Sequence, residues 1–113
     1  MSKTNISINE NEVRAVSLEI RDQNDDNFTP TDAFAHVVDE DDMVVVVEAE
    51  ALITDNTIST LLDATVTVNI GTYYIIWKIV QTVGTTNYIY YHKTKIDVMS
   101  IQIWHYHLRI YQQ

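Results

Sequence analysis

Gly71-Thr72-Tyr73-Tyr74-Ile75-Ile76-Trp77-Lys78-Ile79-Val80 is the strongest strand signal in the chain, a glycine followed by β-branched and aromatic residues. Side chains on a strand alternate between its faces. Tyr73, Ile75, Trp77 and Ile79 therefore share one side, and Tyr74, Ile76, Lys78 and Val80 the other. Both sides are largely apolar. Such a strand fits a central position in a sheet that packs on a second sheet and is partly covered on its outer face.

Upstream of it, residues 64–70 alternate Thr and Val, residues 57–62 read as a short strand, and Asp55-Asn56 turns the chain. Residues 43–53 begin as a valine run and pass into an Ala/Glu alternation. The stretch from Glu48 to Leu52 has some helical propensity, but the valines favour a strand and so short a helix would not stand alone. Residues 32–38 place Phe34, His36 and Val38 on one face and Ala33, Ala35 and Val37 on the other, with the four-carboxylate turn Asp39-Glu40-Asp41-Asp42 after them. Residues 12–21 alternate with Val16, Leu18 and Ile20 inward, and the Asp/Asn-rich run 22–27 and Pro30 form the loop that follows. Residues 1–11 are polar, with Ile6 and Ile8 as their apolar anchors, and read as an arm or a short edge strand. Downstream, Gly84-Thr85-Thr86-Asn87 makes a hairpin-like turn into a strand from Tyr88 to Val98. Residues 101–111 form one more strand, with Trp104, Tyr106, Leu108 and Ile110 on one face and His105, His107 and Arg109 on the other. About eight strands at roughly ten-residue spacing, with no helix and no repeat, predict an antiparallel sandwich. Its body is residues 12–98, flanked by an N-terminal arm (1–11) and a C-terminal strand or arm (99–113).

At 113 residues the chain is one domain. It has no cysteine, which removes thiol catalysis and zinc–thiolate sites. The first residues are polar with no apolar segment behind them, and no window reaches the apolar length of a membrane span, so neither export nor membrane insertion is expected. A net charge of -9 argues against direct contact with nucleic acid. The charge is uneven: residues 1–63 hold fifteen Asp and Glu against Lys3, Arg14 and Arg21, whereas residues 64–113 hold Asp97 against Lys78, Lys93, Lys95 and Arg109. That asymmetry suits packing against copies of the chain or a charged neighbour, unless the fold mixes the halves.

Candidate chemistry is thin. Asp22, Asn24 and Asp26 share the opening spacing of a calcium loop, but Asn27 stands where the glycine is needed and Ala33 where the closing glutamate is needed. His105 and His107 point the same way along a strand but lack a third ligand and an orienting carboxylate, since the last acidic residue is Asp97. His36 reads as a core or interface histidine. No glycine-framed serine elbow, phosphate-cradling loop or carboxylate in an apolar setting is present. No catalytic residue, metal or cofactor is therefore expected. The C-terminal half carries all nine Tyr and Trp residues, from Tyr73 to Tyr111. Tyr and Trp bury large areas at low entropic cost and still satisfy a polar group, which suits an interface as well as a core. Tyr90 and Tyr91 point to opposite faces, so at least one phenol reaches the surface, and the same holds for Tyr73 and Tyr74.

A strand ending Ile20-Arg21-Asp22, Pro30 before the next strand, a strand running to Val38-Asp39, Gly71-Thr72-Tyr73 leading to Trp77-Lys78-Ile79, the Gly84 turn and a closing Ile96-Asp97-Val98 together resemble small immunoglobulin-like structural proteins of tailed bacteriophages. The resemblance spans roughly residues 13–98. It departs where Asp25-Asp26 and Asp41-Asp42 replace the usual Asp-Gly turns, and in the extra strand after Val98. It implies a non-enzymatic virion protein, assembled in the host cytoplasm, that decorates or cements the capsid by contacting the major capsid protein and copies of itself. A head–tail connector or tail ring component is the alternative place. A glycan-binding or adhesion module is the alternative class. Partner contacts are expected from Ile6, Ile8, Tyr91, Trp104, Tyr106, Arg109 and Tyr111.

Overall fold

A computed structural model describes residues 5–100. The chain runs through β1 (Asn5–Asn9), β2 (Arg14–Glu19), β3 (Asp32–Asp39), β4 (Val44–Glu50), β5 (Leu52–Thr54), β6 (Thr57–Leu62), the single helical turn α1 (Ala64–Thr67), β7 (Gly71–Val83) and β8 (Thr86–Met99). Two sheets result, one of five strands in the order β1-β8-β7-β3-β4 and one of three in the order β2-β6-β5. This is an all-β sandwich of two packed sheets, as the strand pattern predicts. Tyr73, at the start of β7, donates its hydroxyl hydrogen to the carbonyl of Asn69 at 3.1 Å, the corner contact typical of that architecture.

The faces of β7 are as the alternation dictates. Tyr73, Ile75, Trp77 and Ile79 are buried between the sheets, and Tyr74, Ile76 and Lys78 are half-buried outside. The core joins them to Val16, Leu18 and Ile20, Ala33, Ala35 and Val37, Ile58 and Leu62, and Ile96 and Val98. Antibody domains fill this centre with a disulfide and a tryptophan on the third strand. Here the chain has no cysteine, and Trp77, wholly buried, comes from β7 instead. Its indole N–H donates to the Thr94 hydroxyl at 2.9 Å, so its one polar atom is satisfied inside.

Four local expectations are corrected. The sandwich is not wholly antiparallel, because β1 runs parallel to β8, from Asn5 beside Lys95 to Asn9 beside Met99. After β1 the chain crosses to the other sheet as β2, so no hairpin forces a reversal. Residues 5–9 of the expected arm are therefore an edge strand. The 43–53 run is two strands in different sheets, because Ala51 donates its N–H to the Ala33 carbonyl and the chain then leaves for β5. Residues 64–67 are helical: Asp63 caps the turn by accepting the Thr65 N–H at 2.9 Å, which a Thr/Val alternation does not reveal. Finally, β8 begins at Thr86, two residues earlier than the tyrosines suggest. The predicted C-terminal strand, 101–111, lies outside the described residues.

The Asp-rich turns work without glycine. Asn11, Asp25, Asp42 and Asp55 adopt φ between 53° and 64°, a left-handed conformation that Asn and Asp tolerate best among residues with a side chain. Asp22 Oδ1 accepts the N–H groups of Asn24 and Asp26, and Asp39 Oδ1 those of Asp41 and Met43. The β1–β2 turn is held by Glu12, which accepts the Asn9 N–H at 3.0 Å and pairs with Arg14 at 2.7 Å. The Asn9 hydrogen bond, joined by Arg14 and opposed by partial burial, holds the Glu12 carboxyl below its usual range. A carboxyl lowered on folding stabilises above its unfolded pKa, and loses that contribution as pH falls through the folded value. Glu12→Gln is therefore expected to cost at most about 1 kcal/mol near neutral pH, because the pair is at the surface. The gap between the two proteins in urea titrations should close below the ordinary carboxylate pKa; a gap that persists in acid would contradict this assignment.

Candidate interaction surface

β7 and β8 pair without interruption from Gly71 beside Val98 to Val83 beside Thr86. Their neighbours are shorter. β3 accompanies β7 only from Tyr73 to Val80, and β1 accompanies β8 only from Lys95 to Met99. The far end of the pair, residues 81–88, is thus a two-stranded ribbon extending past both neighbours, and residues 89–94 of β8 continue it as an edge whose far side β1 does not reach. Gly84-Thr85 closes it as a two-residue loop with Gly84 at φ 63°, the pattern of a type II′ turn, whose twist suits the flanking strands. Nothing surrounds Gly84 that a methyl group would meet. Gly84→Ala is thus expected to cost about 1–2 kcal/mol from backbone conformation alone. Urea denaturation measures it, and an unchanged midpoint would contradict the turn geometry.

The ribbon is apolar on both sides. Gln81, Val83, Tyr88 and Tyr90 continue the inner face of the sheet, and Thr82, Asn87, Ile89 and Tyr91 the outer face, because directly paired residues share a face. Tyr88 is 48% exposed, Ile89 48%, Tyr90 52%, Tyr91 67% and Val83 56%. A sandwich can cover only one side of a strand pair, so residues of this kind on both sides of a projecting ribbon mark a contact element.

Two features lie at its base. An open cleft of about 670 Å³ separates the ribbon's inner face from the loop after β2, with Leu18, Ile20, Phe28, Ile79, Tyr90 and His92 among its lining. Its carboxylates are engaged: Glu19 pairs with Arg21 at 2.7 Å, which pushes the guanidinium pKa further up, and Asp22 caps its own loop. His92 Nε2 is buried and has no hydrogen-bond partner among the described residues. Across the outer face, Lys78, Lys93 and Lys95 stand beside Tyr91, Ile76 and Tyr74 respectively. Lys93 Nζ sits 4.3 Å from the Tyr74 ring centroid and Lys78 Nζ 5.5 Å from that of Phe34. The fold thus collects its described lysines on one aromatic face, apart from the acidic turns.

The expected partner residues divide. Tyr91 is the most exposed aromatic on the ribbon. Ile8 is 1% exposed and belongs to the core, and Ile6 is half-buried against it, so neither is offered to a neighbour as an exposed anchor. Their inward direction follows from pairing with Val98 and Ile96. Trp104, Tyr106, Arg109 and Tyr111, with His105 and His107, lie outside the described residues. His36 is half-buried on the outer face beside Ile76 rather than in the core. Tyr90 and Tyr91 are both at the surface, Tyr73 is buried and Tyr74 half-buried. Val83, Tyr88, Ile89 and Tyr90 were not singled out as contact residues by sequence reasoning. The available signal was the unbroken β-rich run on either side of Gly84, longer than any other pair of runs.

Among the described residues no group of three or more His, Asp or Glu side chains could hold a metal ion, and no helix is long and apolar enough to cross a membrane. Compared with known proteins, the chain matches no family model and no curated protein.

Proposed function

We propose that this chain is a non-enzymatic structural subunit of a bacteriophage particle, a capsid decoration or cement protein that grips neighbouring subunits with the β7–β8 ribbon. The ribbon carries the reading: five exposed apolar or aromatic residues lie on both faces of β7–β8, at its projecting tip and along the edge of β8 that β1 does not reach. The virion setting rests on the sequence resemblance. The acidic turns, solvated and self-capped, keep the body soluble and available to a basic neighbour.

A glycan-binding module is the second reading, favoured by exposed Tyr90 and Tyr91 beside a cleft rimmed with Arg21, Asp22 and Asn24. One comparison separates the two. Purified chain is mixed with particles lacking it, and separately applied to a glycan array. Saturable uptake by particles with no glycan retained supports the structural subunit; glycan retention with no uptake overturns it.

A further inference from the structure

We propose that two copies of this chain pair through the exposed edge of β8, joining their larger sheets into one continuous sheet of ten strands. The inference deepens the structural-subunit reading by naming one partner of the ribbon, a second copy.

The other sheet edges are short or blunted: β1 has five residues. β4 is interrupted by register shifts and carries Glu48 and Glu50; β5 has three residues; β2 carries Arg14 and Glu19. Such devices are how proteins prevent strand addition. Along Thr86–Thr94 of β8, in contrast, no strand lies on the side away from β7 among the described residues. That stretch has no proline, no glycine, no acidic residue and no register shift, and one charge, Lys93, near its end.

Its backbone polarity is fixed by the hairpin. In a two-residue hairpin the residues flanking the loop bond each other, so Thr86, Tyr88, Tyr90 and His92 direct their N–H and C=O groups to β7. Asn87, Ile89, Tyr91 and Lys93 then direct theirs outward. The same parity holds further along, where the Met99 carbonyl accepts the N–H of Glu10.

An antiparallel two-fold pairing centred on Tyr90 uses all of these groups. Asn87 then faces Lys93 of the second copy and Ile89 faces Tyr91 of the second copy, each a hydrogen-bonded pair, for about eight backbone bonds. A shift of the centre to Ile89 or Tyr91 loses about a quarter of them, because the ladder runs into the turn or into β1. Side chains agree with this register. On one face Ile89 meets tyrosine, and the lone charge, Lys93, meets asparagine, so no like charges oppose. On the other face Tyr90 meets its own copy and Tyr88 meets His92, which carries the orphaned Nε2. Tyr88 brings a hydroxyl donor to the strand position beside that imidazole.

The test uses the full chain, which has no native cysteine. At the centre, non-hydrogen-bonded partners lie about 4.5 Å apart between Cα atoms, within disulfide reach. Tyr90→Cys should therefore cross-link under mild oxidation at least about tenfold faster than Ser17→Cys, placed on the other sheet; equal rates would overturn the pairing. Sedimentation should show a concentration-dependent dimer, which Ile89→Pro weakens by about 100-fold, since proline removes an outward N–H and spares the β7 ladder. A monomer at all concentrations would overturn the proposal. Should Ile89→Pro fail to fold, the cross-linking rates decide. Loss of self-pairing with particle uptake intact overturns this inference alone; loss of uptake with pairing intact overturns the structural-subunit reading instead.

Discussion

Trp77→Ala should lower the unfolding free energy by about 3–5 kcal/mol, a large fraction of what a domain of this size has in total. Trp77 is wholly buried, at the centre of the longest strand pairing, with core residues of both sheets around it. Removing the indole leaves a cavity that β-sheets, tied by their ladders, collapse poorly to fill. It also leaves the Thr94 hydroxyl, buried at 3% exposure, without the N–H it accepts. Trp77→Phe separates the two effects, retaining much of the volume but orphaning Thr94, and should cost about 1–3 kcal/mol. Thr94→Val strands the indole N–H instead and should fall in the same range. Urea denaturation reads all three as a lowered midpoint with an unchanged slope. A midpoint within error of the wild type for Trp77→Ala would show that the sandwich centre lies elsewhere.

Replacing Tyr88, Tyr90 and Tyr91 together by threonine should leave the melting temperature within a few degrees and weaken uptake by particles at least about 100-fold. Threonine keeps the strand propensity, and the ribbon lies outside the core, so little folding energy is at stake. For binding the case is reversed. Exposed aromatics that become buried against a partner are the residue type whose truncation costs about 2 kcal/mol or more each. Quantitative sedimentation of chain with particles measures the loss. Full uptake by the triple variant would remove the ribbon from the contact and leave the acidic turns or the lysine-bearing outer face as the alternatives.

Much of the body was legible because it rests on short-range periodicity. The alternation through Gly71–Val80 and 12–21 fixed which side chains enter the core, and the Asp-rich runs fixed the turns. What escaped depends on relations between segments far apart in the chain. Whether Ile8 is an anchor for a partner or part of the core is decided by its pairing with Val98, ninety residues away. The split at Ala51 needs the Ala33 carbonyl. The helical turn at Ala64 is a local event, and its signal was present in the capping carboxylate of Asp63, outweighed by the Thr/Val pattern. The ribbon is visible only by comparison: residues 81–88 look like any strand pair until β3 is seen to stop at Val80, opposite Ile89, and β1 to begin at Lys95. The exposed tyrosines there obey the same alternation as the buried ones, and only the absence of a facing sheet changes their role.

The ribbon's part in assembly is tested most directly by amide hydrogen exchange, compared between the dilute isolated chain and the chain bound to particles. The account predicts added protection concentrated in residues 81–93, with the outer face of β2, β6 and β5 unchanged. Unaltered exchange across the ribbon, with protection gained on that smaller sheet, would contradict it.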